Sequence, residues 1–497
     1  MSYNVNLDKL TIFQGIKIYS EIDPNADLFY PYVVIPVSCI RDINGDEIDD
    51  VIIGTPGANN NMGAAYVIYG SASYSSDIYL TALPRALGFK IVAPFRDASY
   101  IDSNGGDSIG ASVSGAGDIN NDGINDMIIG ASNNGTVFVI YGSTSDLSDI
   151  DLATLSPTRG FKIIGGVENG YVVGISVSDL GDINGDGIDD VIVGTIMFNT
   201  VGAAVIYGSS YPSDIYLATL SPTQGFKIIG PSYNEQIGIS VNSAGDINND
   251  GINDIIIGVF FKNTTNTALA GIAYVIYGGI SYSSDLYLEN LSPTQGFKII
   301  GNTANGYVGY SVSGVGDVNG DKIDDVIIGA PGINNDRGAA YVIYGSTNDL
   351  SDIDLENLPI TRGFKIYDDT SYFIGSSVNN VGDINGDKIN DMIVGAWMGN
   401  MSAVVIYGSS GYSSDIKLAT LSSTQGFKFI SSSYGTNGYT TAIGGTGDIN
   451  DDGANDIIFG FGGLNTDSDN SIGTSITYMI YGGNNTCLLY TSDAADD

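Results

Sequence analysis

Residues 182–190 read D-I-N-G-D-G-I-D-D, and the apolar residues V-I-V-G follow them. Side chains that carry oxygen stand at loop positions 1, 3, 5 and 9, with Gly185 and Gly187 between them. In proteins Ca²⁺ takes about six to eight oxygen ligands, and one short carboxylate-rich loop can supply most of them. Glycine permits the left-handed backbone that such a tight loop needs. The stretch therefore predicts a calcium-binding loop.

The same loop occurs seven times, at intervals of 76, 64, 64, 71, 66 and 65 residues. Every copy has Asp at positions 1, 5 and 9 and Asn at position 3, and position 7 is expected to offer its backbone carbonyl. The predicted ligands are Asp42, Asn44, Asp46, Ile48, Asp50, Asp118, Asn120, Asp122, Ile124, Asp126, Asp182, Asn184, Asp186, Ile188, Asp190, Asp246, Asn248, Asp250, Ile252, Asp254, Asp317, Asn319, Asp321, Ile323, Asp325, Asp383, Asn385, Asp387, Ile389, Asp391, Asp448, Asn450, Asp452, Ala454 and Asp456.

The loop has two other interpretations. Asn, Asp and Gly also form solvated turns, but turn chemistry does not require the Asp at position 9. An EF-hand needs a bidentate Glu at position 12, where this chain has apolar residues such as Ile53, Val193 and Ile328. An EF-hand also needs flanking helices, whereas the flanks here are typical of strands. Up to seven Ca²⁺ ions are therefore expected.

The composition excludes several classes of function. The chain has 56 acidic against 18 basic residues, a formal charge of −38, so binding to nucleic acid or anionic membranes is not expected. It has no His and only two Cys, Cys39 and Cys487, which excludes Ser–His and Cys–His catalysis and His-ligated zinc. No run of about 20 apolar residues is present, so direct membrane insertion is not expected. The amino terminus shows no secretory signal.

Each repeat carries four short segments rich in Val, Ile and Tyr and bounded by Gly, Asn and Ser, which is typical of strands. In the fifth repeat these segments, named A to D, are residues 310–316, 325–329, 338–345 and 363–366. The Asp-rich loop always joins A to B. A single four-stranded sheet cannot bury both faces, so neighbouring sheets must pack together and close radially. The sequence predicts an all-β, seven-bladed β-propeller with four antiparallel strands per blade.

The two ends of the chain indicate how the ring closes. The seventh repeat has A, B and C (residues 439–447, 456–460 and 476–482) but no G-F-K-I segment after them. The segment Q-G-I-K-I at residues 14–18 is expected to supply this strand, because an open array would leave unpaired edges. One propeller is thus predicted over residues 1–485. Residues 486–497 are expected to be a non-native tail, similar to a translated sequencing adapter.

The repeats resemble the FG-GAP repeats of the integrin alpha-subunit head, of bacterial surface proteins and of a glycosylphosphatidylinositol-cleaving phospholipase. The D-x-N-x-D loops, the Y-V-I-Y-G strands and A-P-G at residues 330–332 carry this resemblance, which covers residues 12–483. It implies a seven-bladed propeller with Ca²⁺ in loops of one face, usually in only some blades. Here all seven blades carry the loop. No other integrin domain is visible, so integrin partners are not carried over.

The two faces of the predicted propeller differ. The A–B loops and C–D linkers share one face, and both keep a common pattern, which in the linkers is S-D-[IL]-x-L, as at residues 76–80. The B–C loops and D–A linkers share the other, the variable face, where B–C loops range from residues 131–134 to residues 259–270. Binding usually resides on loops of a rigid scaffold. A protein or glycan ligand is therefore expected on the variable face.

Several aromatic and sulfur-containing side chains bear on this expectation. Large apolar residues of the B–C loops either contact a ligand or fold back over the blades: Met197, Phe198, Phe260, Phe261, Trp397 and Met398. The tyrosines that recur in the D–A linkers are expected to pack in the core rather than line a ligand site: Tyr32, Tyr100, Tyr171, Tyr233, Tyr307, Tyr372 and Tyr439. Cys39 is expected to be an inert buried thiol.

Two classes of function remain. The first is a calcium-binding propeller for adhesion or ligand binding, monomeric, without enzymatic activity, and extracellular or at the cell surface because many such sites need abundant calcium. The alternative is an accessory propeller of a larger secreted hydrolase, phospholipase- or glycosidase-like, whose catalytic part lies outside this chain. Carboxylate pairs alone can hydrolyse glycosides, but the clustered carboxylates here fit the metal loops better, so the first class is favoured.

Overall fold

The computed structural model describes residues 4–12, 14–21, 35–59, 62–93, 107–145, 147–165, 172–196, 201–230, 236–264, 267–279, 282, 285–369, 371–396, 401–430, 439–464 and 474–483. Their strands form seven sheets of five strands each. Strand A of every blade contacts strand A of the next, and the last blade contacts the first. The A strands therefore surround a central axis, and the predicted seven-bladed propeller is confirmed.

Four strands of each blade are antiparallel and follow the order A, B, C, D outward from the axis. The A strands are Val37–Arg41, Ile109–Gly117, Val172–Gly181, Ser240–Gly245, Val312–Gly316, Val378–Gly382 and Tyr439–Gly447. The B strands are Asp50–Thr55, Asp126–Ala131, Asp190–Ile196, Asp254–Val259, Asp325–Ala330, Asp391–Gly395 and Asp456–Leu464. The C strands are Ala64–Ile68, Thr136–Ile140, Val201–Ile206, Ile272–Ile276, Ala339–Ile343, Met401–Ile406 and Thr474–Ile480. The D strands are Gly88–Val92, Gly160–Ile164, Gly225–Ile229, Gly296–Ile300, Gly363–Tyr367, Gly426–Ile430 and, for the seventh blade, Gly15–Glu21.

A fifth strand, named E, makes each blade wider than predicted. It comes from the C–D linker of the following repeat and pairs in parallel with strand D, as Ile150 does with Ile91. The linker Asp before it accepts a hydrogen bond from the D strand, as Asp149 does from the Lys90 N–H at 3.0 Å. This pairing covers an edge that would otherwise expose unpaired backbone groups. The E strands are Asn4–Asn6, Ile78–Tyr79, Ile150–Asp151, Ile215–Tyr216, Leu286–Tyr287, Ile353–Asp354 and Ile416–Lys417.

Few residues are helical. A 3₁₀ turn follows each E strand, at Leu7–Lys9, Leu80–Ala82, Leu152–Thr154, Leu217–Thr219, Leu288–Asn290, Leu355–Asn357 and Leu418–Thr420. Two B–C loops add a 3₁₀ turn at Ser132–Asn134 and a helical turn at Ile333–Asp336. Within the described part of the chain, no helix has the length and apolar character needed to cross a membrane.

The amino-terminal segment contributes one strand to each of the last two blades. Strand Gly15–Glu21 pairs antiparallel with Thr474–Ile480, with Gly15 opposite Ile480, which is the pairing predicted for the last blade. The preceding strand Asn4–Asn6 pairs in parallel with strand D of the sixth blade, Val5 opposite Phe429. The first residues therefore occupy the position that a C–D linker occupies in the other blades, a role that the sequence analysis did not assign to them.

The core lies between the blades. Seven apolar clusters of described residues are present, and each joins the facing surfaces of two neighbouring blades. Because both faces of strands B and C are covered, their sequences are continuous apolar runs rather than alternating ones. The closing cluster packs Ile16 and Ile18 from the amino terminus and Met479 from the carboxyl-terminal strand against Val51 and Ile53 of the first blade.

Candidate metal centre

The Asp-rich loops are the turns of the A–B hairpins. The residue before each loop pairs with position 9, as Gly181 does with Asp190, and a register shift accompanies this pair. Positions 1 to 8 therefore form a tight coil beyond the last pair of the hairpin. All seven loops lie in the described part of the chain. Because the A strands of neighbouring blades are in contact, the loops lie side by side around the ring on the face of the A–B loops.

The Asp at position 1 organises the coil by accepting backbone hydrogen bonds. In all seven loops its Oδ2 accepts the N–H of position 6 at 2.7–2.8 Å. Its Oδ1 accepts the N–H of position 5 at 2.8–3.2 Å. A carboxylate that accepts several backbone N–H groups is held firmly in one position. The side chain at position 1 is therefore fixed by its own loop.

Position 5 has a similar but smaller role. In all seven loops its Oδ1 accepts the N–H of position 7 at 2.9–3.0 Å. In the loop that begins at Asp182, the Asn184 Oδ1 also accepts the Asp186 N–H at 2.9 Å. An ionised carboxylate offers about four lone-pair sites, so these bonds leave acceptor capacity on the exposed Asp186 for a cation.

The Asp at position 9 is fully buried in all seven loops. Its Oδ1 accepts the N–H of the Gly that follows strand C, at 2.7–2.9 Å. Burial raises the pKa of this carboxyl to about 8 in the loop at Asp190, and the charges of Asp186 and Asp182 add to the rise. The pKa is raised to about 8 for the same reasons at Asp50, Asp126, Asp254, Asp325 and Asp456, and to about 7 at Asp391. A bound cation would compensate this concentration of negative charge.

The loop backbone is left-handed at two positions. At position 6, φ lies between 87° and 90° where the residue is Gly, and it is 69°, 72° and 71° at Glu47, Lys322 and Lys388. Position 4 is also left-handed, with φ of 78–81° at its four glycines and 57–61° at Asn121, Asn249 and Asp451. Every loop has Gly in at least one of the two positions, and only the loop beginning at Asp182 has Gly in both. A residue with a Cβ is strained in this left-handed region, whereas Gly is not. The loops with Glu47, Lys322 and Lys388 at position 6 are therefore expected to be more strained than the loops with Gly there.

The donor set fits Ca²⁺, because every predicted ligand atom is oxygen and three of the five donors are carboxylates. In the loop beginning at Asp118, the Asn120 Oδ1 and the Asp126 Oδ2 are buried and have no hydrogen-bond partner. Buried oxygen atoms without a hydrogen-bond partner are suited to coordinate a cation. As they stand, no three Asp, Glu or Cys side chains of the described residues are arranged to hold a metal ion. Calcium ligation by the 35 predicted residues therefore stays a prediction.

Two features of these loops escaped the sequence analysis. Position 8 is Asp or Asn in every copy, and Gly precedes the loop in six of the seven copies, with Arg41 in the other. Both patterns are visible in the repeats, but position 8 was not among the predicted ligands and the preceding Gly was counted as part of strand A. In the structure both lie at contacts between neighbouring loops.

The central cavity has a polar lining. Its volume is about 570 Å³, and its walls include Cys39, Asp179 and a series of Ser and Asn side chains from the A strands. The Ser178 hydroxyl donates to the Asn242 Oδ1 at 3.0 Å. Cys39 is half-buried beside this cavity rather than enclosed in the core, so its expected position was wrong. Desolvation, with a smaller contribution from the charge of Asp49, still raises the pKa of the thiol to about 12, which keeps it protonated and unreactive.

The variable face carries an aromatic cluster at the fourth blade. Phe260 is 6% exposed, and its ring lies 4.4 Å from that of Phe261, 5.1 Å from that of Tyr310 and 6.4 Å from that of Tyr307. Phe260 therefore folds back over the blade, whereas Phe261, Tyr307 and Tyr310 remain half-buried at the surface.

One recurring tyrosine departs from the expected core packing. Tyr372 is 39% exposed, and the Arg337 guanidinium lies 4.0 Å from the centre of its ring. Tyr307 is half-buried in the aromatic cluster. The remaining apolar residues of the B–C loops and the remaining recurring tyrosines lie outside the described part of the structure. They are Met197, Phe198, Trp397, Met398, Tyr32, Tyr100, Tyr171, Tyr233 and the side chain of Tyr439. The predicted tail at residues 486–497 also lies outside it.

The repeats are similar to known sequences. Residues 308–343 match the family model described as FG-GAP repeat. Integrin alpha pat-2 of Caenorhabditis elegans is 29% identical over 243 residues, which cover 46% of this chain and 18% of that protein. Integrin alpha-PS5 of Drosophila melanogaster is 30% identical over 206 residues, covering 40% and 17%. Integrin alpha-8 of Gallus gallus is 26% identical over 299 residues, covering 57% and 25%.

The chain spans about a fifth of the length of these curated relatives. A solved structure described as "Structure of Dos1 propeller" aligns with 91% of this chain and 93% of its own, with a TM-score of 0.42 and 11% identity. That likeness is too distant to carry an argument. The seven loops, the seven blades and the match in the fifth repeat lead to one assignment: this chain is a seven-bladed β-propeller that contains an FG-GAP repeat and resembles integrin alpha subunits.

Proposed function

We propose that this chain is a calcium-binding propeller that acts as an adhesion or ligand-binding module outside the cell or at its surface. The observation that carries the calcium part is the position-9 Asp, which is fully buried in all seven loops beside two further carboxylates. The resemblance to integrin alpha subunits supports the adhesion part. The loops hold the ions, and the ions in turn hold the ends of the A–B hairpins.

Removing calcium is the direct test. An ion that binds only the folded state stabilises it by about 2.7 kcal/mol per site at 100 times its Kd. Several such sites together should raise the Tm by on the order of ten degrees. Thermal unfolding, followed by circular dichroism in excess calcium and in excess chelator, measures the difference.

Magnesium provides the control, because Mg²⁺ demands closer octahedral coordination and gives up its water reluctantly. Excess Mg²⁺ added to the chelated protein should therefore restore little of the lost stability. Identical melting curves with calcium and with chelator would rule out the calcium part of the proposal.

The proposed ligand surface is the variable face, for a protein or glycan partner. The aromatic cluster around Phe261 and the stacked pair Arg337–Tyr372 support this choice, because aromatic and arginine side chains are enriched at binding surfaces. These two features lie on B–C loops and D–A linkers of the fourth and fifth blades. The partner would bind there while calcium stays on the opposite face.

Two variants and a matched control test this surface. Phe261→Ala and Tyr372→Ala should each reduce binding to a positive spot on glycan or protein arrays by about tenfold, as expected for a hot-spot residue. Tyr216→Ala is the control, since Tyr216 is 55% exposed but lies in an E strand at the outer edge of a blade. Equal losses for all three variants, or a loss for Tyr216→Ala alone, would place the ligand elsewhere.

A further inference from the structure

The side chain at position 8 of each loop points to the neighbouring loop rather than into its own. Where it is Asp, its Oδ2 accepts the N–H of position 1 in the loop of the preceding blade. Asp189 accepts from Asp118 at 2.8 Å, and Asp324 accepts from Asp246 at 2.8 Å. Asp49 of the first blade accepts from Asp448 of the seventh blade at 3.0 Å, so the same contact spans the closure of the ring.

Where position 8 is Asn, the contact persists with its polarity reversed. The Asn125 Nδ2 donates to the Asp42 carbonyl at 3.2 Å, and the Asn253 Nδ2 donates to the Leu180 carbonyl at 2.9 Å. In the last two loops the backbone takes over. The N–H groups of Asn390 and Asn455 donate to the position-1 carbonyls of the preceding loops at 3.1 and 3.4 Å.

A second hydrogen bond reinforces each of these contacts. In all seven blades a Tyr-Gly pair follows strand C, and the residue after this pair donates its N–H to the position-2 carbonyl of the loop in the preceding blade, at 2.8–3.1 Å. The Gly immediately before that donor gives its own N–H to the position-9 Asp, as Gly70 does to Asp50 at 2.8 Å. Two adjacent N–H groups thus join neighbouring blades. The Gly70 N–H donates to the Asp50 carboxylate of its own blade, and the Ser71 N–H donates to the Ile449 carbonyl in the loop of the preceding blade.

The glycine before each loop makes room for the position-8 side chain. These six glycines have φ between 58° and 68°. A Cβ at Gly117 would lie 2.1 Å from the Asp189 Oδ2, and one at Gly447 would lie 1.9 Å from the Asp49 Oδ2. The exception is Arg41, with φ of 53°, where the neighbour is Asn125 and the contact goes to the carbonyl of Asp42.

We propose that the position-8 residues are positioning residues that join the seven loops into one closed belt. Each of them holds the loop of the preceding blade, not its own, and Asp49 holds the loop of the last blade across the join between the chain ends. The members of the belt are Asp49, Asn125, Asp189, Asn253, Asp324, Asn390 and Asn455. That the belt couples calcium sites rests on the proposed function, whereas the contacts themselves do not depend on it.

The belt predicts a directional effect that an ordinary structural residue would not produce. Losing the Asp189 side chain should loosen residues 118–126, in the preceding blade, more than residues 182–190, in its own blade. Losing the Asp49 side chain should loosen residues 448–456, because the Asp448 N–H donates to Asp49 although the two residues are 399 positions apart in the sequence. Calcium affinity should fall at the loosened loop, because its position-1 backbone is no longer held.

Hydrogen exchange followed by mass spectrometry measures each loop separately. In Asp189→Ala, exchange at residues 118–126 should rise about tenfold, the factor expected from losing a hydrogen bond to a charged group. Asp324→Ala should act on residues 246–254, as an independent repeat of the same geometry. Asp189→Asn should stay close to wild type, because the amide oxygen can still accept the N–H, or the amide nitrogen can donate to a carbonyl of the preceding blade as Asn125 and Asn253 do.

The control is Asp149→Ala. Asp149 also accepts one backbone N–H from a neighbouring blade at 3.0 Å, but at the outer edge of the sheet. It should leave exchange in the loops unchanged. Exchange that rises only in the variant's own loop, that rises equally in all loops, or that rises equally in Asp149→Ala would overturn the belt.

Running the exchange in excess calcium and in chelator separates the two proposals. If wild-type protein binds no calcium by titration, the proposed function fails, while the directional effect in chelator still decides the belt. If wild-type protein binds calcium but Asp189→Ala and Asp49→Ala leave their neighbouring loops as protected as before, the belt fails alone.

Discussion

At the scale of single residues, the seven loops differ most at position 6. A left-handed backbone costs a residue with a Cβ on the order of 1 kcal/mol relative to Gly. Glu47, Lys322 and Lys388 adopt this conformation with φ of 69–72°. Loops with Gly at position 6 are therefore expected to bind calcium most tightly. The Glu47 loop is expected to be intermediate, because its added negative charge favours the ion, and the two Lys loops weakest.

Position 4 refines this order. Asn and Asp tolerate the left-handed region better than other residues with a Cβ, so Asn121, Asn249 and Asp451 should cost their loops less than Lys322 and Lys388 cost theirs. The loop beginning at Asp182, with Gly185 and Gly187, carries neither cost. It is the expected tightest site and the internal reference for the others.

Lys322→Gly tests the strain directly, because it gives the fifth loop Gly at both left-handed positions, like the loop at Asp182. Calcium affinity of that site should rise about fivefold, since 1.4 kcal/mol corresponds to a factor of ten. Lys388→Gly should act in the same way on the sixth loop. Isothermal titration calorimetry should show the weak class of sites move toward the tight class.

Lys322→Ala separates strain from charge. It removes the exposed ammonium, whose effect is largely screened by solvent, but it keeps the Cβ and the strained backbone. If Ala tightens the site as much as Gly, charge rather than strain sets the order. If neither substitution tightens it, position 6 does not control the affinity.

At the scale of elements, the four antiparallel strands of each blade could be predicted because the repeat supplies seven independent views of one pattern. Apolar runs such as D-V-I-I-G recur at the same distance from the loop, and the structure places strands Asp325–Ala330 and Asp190–Ile196 on them. The bounds moved by only a few residues, since Gly and Asn end the strands at both sides.

The E strands could not be predicted in the same way. Six of the seven are two residues long, as at Ile78–Tyr79, which is too short to show the alternation typical of a strand. Its conformation depends on pairing with strand D of another repeat, and no local pattern in the sequence states that partner. The constant S-D-[IL]-x-L pattern was visible but was interpreted only as a linker core.

The candidate site was also predicted only in part. The Asp and Asn at positions 1, 3, 5 and 9 were recognisable because they repeat at a spacing that suits one ion. Position 8 was passed over because its partner, such as Asp118 for Asp189, lies in another blade. Contacts between repeats are set by the closed ring, so a single loop considered alone does not reveal them.

At the scale of the whole molecule, closure depends on the first 21 residues. A propeller buries its apolar clusters only between neighbouring blades, so the junction of the seventh and first blades must be sealed by chain ends. Strand Gly15–Glu21 completes the seventh sheet, and Ile16 and Ile18 are at most 1% exposed in the closing cluster. Strand Asn4–Asn6 separately covers the edge of the sixth blade.

Two truncations should separate these contributions. Deleting residues 1–9 removes only the E strand of the sixth blade, together with the buried Val5 and Leu7, and should lower the Tm while the protein stays monomeric. Deleting residues 1–20 also removes the D strand of the seventh blade and leaves strand Thr474–Ile480 with an unpaired edge. Exposed strand edges pair with other chains, so this longer truncation should aggregate or lose most of its stability. Light scattering after size-exclusion chromatography, with thermal unfolding of the monomer fraction, measures both effects. If the longer truncation stays monomeric with the melting curve of the full chain, the amino terminus does not close the ring.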